Sequence, residues 1–75
     1  MNKERRKQIE EVISKFDKIR DQLQQILDDE QTYFDCIPEN LQNSERAYNS
    51  ESAINNMEDV IEKTDDILEL LNEIV

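Results

Sequence analysis

The chain contains no glycine, no histidine and no tryptophan, and only one proline and one cysteine in 75 residues. Without glycine there is no loop of the kind that cradles phosphate, and no easy left-handed turn. Without histidine, and with Cys36 as the only thiol, no zinc donor set can be assembled and no intramolecular disulfide can form. Cys–His nucleophilic chemistry lacks its base for the same reason. Asp28-Asp29-Glu30 is acidic but lacks the spaced oxygens and the glycine of a calcium loop. The expectation is therefore a protein that is not an enzyme, with no catalytic residues, no metal, no cofactor and no small-molecule substrate. No run approaches ~18 consecutive apolar residues, so nothing reads as spanning a membrane. Met1-Asn2-Lys3-Glu4-Arg5-Arg6-Lys7 is charged and leads into no continuous apolar core, unlike a signal peptide. With a lone thiol, this predicts a cytoplasmic location.

Charge is abundant and lopsided. Nine basic residues stand against 19 acidic ones, a net charge of −10. Residues 1–20 hold seven Lys/Arg and four acids, whereas residues 21–75 hold two basic residues, Arg46 and Lys63, and 15 acids. Such a field repels nucleic acid and anionic membranes and attracts proteins with basic surfaces. Direct nucleic-acid or membrane binding is accordingly not expected.

The hydrophobic share, 36%, is low, but its spacing is regular. From Ser44 to Val75, the residues Ala47, Ile54, Met57, Ile61, Thr64, Leu68, Leu71 and Val75 recur at a and d positions of a heptad. Ala53, Val60, Ile67 and Ile74 widen that stripe at g. Beside it, at e, b and f, lie Glu51, Glu58, Asp59, Glu62, Asp65, Asp66, Glu69 and Glu73, a continuous acidic face. Earlier in the chain, Ile9, Val12, Phe16, Ile19, Leu23 and Ile26 also follow a/d spacing, with Ile13, Leu27 and Phe34 widening the stripe at e. Glu30 interrupts this pattern at an a position, where an unpaired carboxylate is costly. Ser50 and Arg46 are its expected neighbours across the hairpin, and a structural bond to the corner is its expected role.

Pro38 ends the first helix, because proline lacks a donor and disfavours helical geometry at the preceding residue. Pro38 to Leu41 can form one helical turn with proline first, and Asn2 and Asn43 or Ser44 are the candidate N-caps. The fold class is thus all-α: an antiparallel two-helix hairpin in one domain, with helices near 2–35 and 44–74. Antiparallel pairing makes facing residue numbers sum to roughly 80. Ile26 then meets Ile54, Leu23 meets Met57, Ile19 meets Ile61 and Ile9 meets Leu71, while Arg5 and Arg6 approach Glu73. Tyr33, Phe34, Ile37, Leu41 and Tyr48 converge on the corner, with Cys36 packed at the helix end. Three apolar positions per heptad on two helices leave one side open to water, so the hairpin is expected to dimerise into a four-helix bundle.

Asp28-Asp29-Glu30-Gln31, Tyr33-Phe34-Asp35, Pro38-Glu39-Asn40-Leu41-Gln42 and Ser44-Glu45-Arg46 carry a resemblance. Together they resemble a family of short, acidic, uncharacterised helical-hairpin proteins from phage and gut-bacterial genomes. The resemblance implies a hairpin fold and a mobile-element origin, and it supplies no catalytic residues. The function expected is a non-enzymatic interaction module. Its acidic face, spaced much like nucleic-acid phosphates, would block a basic surface on a host nucleic-acid-handling or defence protein. The corner, with Glu30, Tyr33, Phe34, Arg46 and Tyr48, is a second candidate contact. The alternative is a self-associating structural or accessory protein whose acidity serves solubility.

Overall fold

Local chemistry sets the helix boundaries. In a computed structural model describing all 75 residues, Met1–Val75, the Asn2 side chain accepts a hydrogen bond from the backbone N–H of Arg5 (2.8 Å). That cap starts α1, Lys3–Asp35, with Glu4 in the first turn, where the helix dipole favours negative charge. α1 stops three residues before Pro38, as the missing donor requires. Pro38 is extended (φ −58, ψ 147) and serves as the N-cap of a short 3₁₀ turn, Glu39–Leu41, rather than as its first residue. The Gln42 amide donates to the Ile37 carbonyl (3.0 Å) and ties the corner back to the helix end. Ser44 Oγ then accepts from the Ala47 N–H (3.2 Å) and starts α2, Glu45–Ile74. The protein is an all-α helical hairpin with no strands.

The expected seam proves correct for α2 except at Val75, which is exposed, and one position off for α1. In α2, Ala47, Ile54, Ile61 and Leu68 at a, with Ser50 and Thr64 at d, are buried, and Met57 and Leu71 are half-buried. Thr64 is satisfied there by donating to the Val60 carbonyl (2.7 Å). In α1 the covered residues are at a and e. Leu27 is buried, and Ile9, Ile13, Phe16, Leu23 and Phe34 are half-buried. The d residues Ile19 and Ile26 are 57% and 50% exposed, so they do not meet Ile61 and Ile54 as expected. Leu27 fills that place, packing with Ile54 and Ile61 and flanked by Leu23, Phe34 and Met57.

The core is thin. Only 8 of 75 residues are buried, and no large side chain is fully enclosed. The molecule measures 60 × 15 × 13 Å with a radius of gyration of 17.3 Å. A compact chain of this length has a radius near ~11 Å. Two parallel rods cannot wrap a core, so nearly all cohesion lies along one line of contact. No helix is long and apolar enough to cross a membrane.

Leu27→Ala should therefore destabilise the single hairpin by about 2–3 kcal/mol. Ile26→Ala, at a half-exposed position, should change it by less than about 1 kcal/mol. Thermal melts followed by circular dichroism at sub-micromolar concentration measure both. A larger loss for Ile26→Ala than for Leu27→Ala would place the seam at a and d.

Candidate functional site

Two faces of the hairpin differ sharply in chemistry. The first is marked by Arg20, at e of α1, which bridges to Asp65, at e of α2. The guanidinium engages both carboxylate oxygens, Nε with Oδ1 and Nη2 with Oδ2 (3.1 Å). This hydrogen-bonded pair holds the Asp65 carboxyl below the usual carboxylate range and raises Arg20, with Asp21 and Asp17 adding to the effect on Arg20. Asp65 belongs to the acidic face by position, yet its charge is already matched within the chain. The other seven carboxylates of that face, Glu51, Glu58, Asp59, Glu62, Asp66, Glu69 and Glu73, are exposed and form no ion pair.

α1 extends the acidic face, a contribution that counting one helix at a time missed. Asp17 and Asp21 lie near enough to Arg20 to act on its charge. By helical register, Asp28 and Asp35 continue the same ridge. Both are held in place, Asp28 by the Gln24 amide and Asp35 by the Gln31 amide (3.0 Å each). Tyr48 also belongs here rather than with the corner. It is 68% exposed and borders a hollow with Glu51, Ser52, Asn55 and Asn56. Its b position, one heptad before Asn55 and two before Glu62, was the available signal.

The second face is apolar. Val12, Ile19, Ile26 and Tyr33, the d positions of α1, are all exposed. So are Val60, Ile67 and Ile74, three g positions of α2, with the fourth, Ala53, half-buried. Tyr33 and Arg46 border the same hollow, which puts these d and g rows on one side. Heptad steps from that pair set Ile26 beside Ala53, Ile19 beside Val60, Val12 beside Ile67 and Arg5 beside Ile74. By the same register, the rim residues are Gln8, Lys15, Gln22 and Asp29 on α1, and Asn49, Asn56, Lys63 and Leu70 on α2. That rim carries one acid and two lysines, so almost all of the excess negative charge faces the other way.

The corner end of the apolar face holds a hollow of about 430 Å³ lined by Glu30, Tyr33, Glu45, Arg46, Asn49 and Ser50. Glu30 is half-buried there, but it bonds neither Ser50 nor Arg46, contrary to expectation. Ser50 is 3% exposed, and its hydroxyl has no hydrogen-bond partner. A smaller cavity of about 150 Å³ lies among Tyr33, Ile37, Pro38 and Leu41. Cys36, expected to pack, is exposed. Arg5 and Arg6 form no ion pair with Glu73, so the open end of the hairpin is not clamped by charge. No three His, Cys, Asp or Glu side chains group so as to hold a metal ion.

Because Asp65 titrates below its ordinary value when folded, its bond to Arg20 stabilises the hairpin at neutral pH. That contribution disappears as pH falls through the depressed folded value. Asp65→Asn should lower the melting temperature slightly at pH 7, and the gap from the natural chain should close towards acid pH. A gap independent of pH would contradict this assignment.

No protein-family model, no curated protein and no solved structure matches this chain.

Proposed function

We propose that the chain is a protein-interaction module whose acidic face occupies a basic surface on another protein. The observation that carries this reading is the segregation of charge. Seven unpaired, exposed carboxylates run along α2 on the side away from the apolar stripe, and α1 adds more beside them. The seven unpaired carboxylates from Glu51 to Glu73 span ~33 Å at ~1.5 Å per residue, one per ~5 Å. DNA presents one phosphate per ~3.4 Å of each strand. A groove that binds nucleic acid would meet a comparable charge density on a rigid rod. Tyr48, exposed at the corner end of this face, adds an aromatic anchor of the kind enriched in interfaces. In this reading the chain acts as an inhibitor of a nucleic-acid-handling or defence protein, consistent with the resemblance to phage-encoded hairpins. A second reading, an accessory protein that associates with itself, is favoured by the apolar stripe; the two use different faces.

The test is to convert Glu58, Asp59, Glu62, Asp66 and Glu69 to their amides, sparing Asp65 because it holds Arg20. Helicity should be unchanged or higher, since self-repulsion falls. Immobilised natural chain should retain from a bacterial lysate a nucleic-acid-binding protein that duplex DNA displaces. With that protein purified, the amide variant should associate about tenfold more slowly at low salt, and the difference should shrink as salt rises. Retention that is indifferent to salt, DNA and the amide changes would contradict the proposal.

A further inference from the structure

The face opposite the acidic one carries a separate inference, independent of the acidic-face reading. The chain exposes 5963 Å² at a mass of 9.0 kDa. A compact monomer of that mass exposes about 4,900 Å², so roughly 1,100 Å² is in excess. The apolar stripe runs through five heptad layers, from Arg5/Ile74 to Tyr33/Arg46, a length of ~42 Å at ~1.5 Å per residue. Two helices side by side make it ~20 Å wide, a footprint on the order of 800 Å², which is what each partner contributes to a standard stable interface. A partner drawn to the acid would gain little here, because the rim holds one acid and two lysines. A second copy can approach this face without the repulsion that a net charge of −10 imposes elsewhere.

The rim and the hollow also set the arrangement. Two face-to-face dimers are possible with a two-fold axis. With the corners at the same end, Lys15 lies over Lys63 of the second copy, and Lys63 over its Lys15: two like-charge contacts. With the corners at opposite ends, about the Ile19/Val60 layer, Lys15 meets Gln22 and Lys63 meets Asn56. Arg5 and Tyr33 are each ~21 Å from Ile19. The second arrangement therefore brings Arg5 of one copy to the Tyr33/Arg46 layer of the other. There lies the hollow with a half-buried, unpaired Glu30 and a buried Ser50 hydroxyl that lacks a partner, and its two carboxylates, Glu30 and Glu45, outnumber its one cation, Arg46. A guanidinium, with five donors in a planar fork, can bond the carboxylate and the hydroxyl while lying against the Tyr33 ring.

We propose that a second copy of this chain packs on the apolar stripe with its corner at the opposite end, about a two-fold axis through the Ile19/Val60 layer, and that Arg5 of each copy enters the hollow at Glu30 of the other. The dimer is then a four-helix assembly with a covered apolar centre and acid on both outer sides.

Sedimentation equilibrium and disulfide trapping test it. The natural chain should be dimeric at micromolar concentration. Arg5→Glu and Glu30→Arg should each weaken the dimer at least about tenfold with helicity retained, and the double reversal should restore it. In a Cys36→Ser background, Ile19→Cys should give a covalent dimer with oxidised glutathione, since only the opposite-ends arrangement puts Ile19 against itself. A chain that stays monomeric to about 100 μM overturns the proposal. So does a dimer that the Ile19→Cys thiol does not trap, or one in which the double reversal fails to rescue. The amide changes on the acidic face should leave dimerisation intact, so failure there and failure here are separately visible.

Discussion

Two helices share only one line of contact, and each helix of this chain carries more apolar side chains than one line can cover. Leu27, Ile54 and Ile61 form the centre of that line. Their burial fixes the rotation of α1 about its axis, and the rotation decides what every other residue faces. With a and e of α1 turned inward, the d row of Val12, Ile19, Ile26 and Tyr33 is left outside. The g row of α2 is left outside on the same side, because antiparallel helices present matching flanks. One rotation thus produces one apolar face, and the remaining helix surface is where the acid lies.

The rotation also has to accommodate Arg20. Turning e inward places a guanidinium at the seam edge, which would be unfavourable without an anion. Asp65 supplies that anion through a two-pronged bond, so the e row can carry Ile13, Leu27 and Phe34 inward around it. The pair stands on the acidic side of the seam and contributes orientation more than cohesion, since exposed ion pairs are weak. Cohesion comes from the few buried aliphatic side chains.

The boundaries of the elements were legible because they depend on single residues with local chemistry. Asn2, Pro38 and Ser44 are caps or breakers whatever the tertiary context, and the predicted ends fall within a residue of those observed. The seam of α1 was not legible. Ile9, Phe16 and Leu23 belong to either choice of row, and the d and e rows are equally apolar apart from Arg20. Counting apolar residues favours d, because it charges the cost of Arg20 to e and cannot see Asp65 at 45 residues' distance in sequence. For the same reason the acidic character of α1 was missed, because it depends on how one helix is turned against the other; the place of Tyr48 was legible in its b position alone. At the corner, sequence spacing correctly brought Glu30, Ser50 and Arg46 to one hollow but did not reveal that Glu30 is left without a bond.

The faces, the hollow and the proposed dimer all depend on the rotation of α1. Methyl–methyl nuclear Overhauser contacts read it directly in the Cys36→Ser chain. Equal parts of labelled and unlabelled chain, with isotope filtering, separate contacts within a chain from those between copies. Strong intrachain contacts are expected from Leu27 to Ile54 and Ile61, and none from Ile26 to either. Intrachain contacts from Ile26 to Ile54 and from Ile19 to Ile61, with Leu27 free of both, would contradict that rotation.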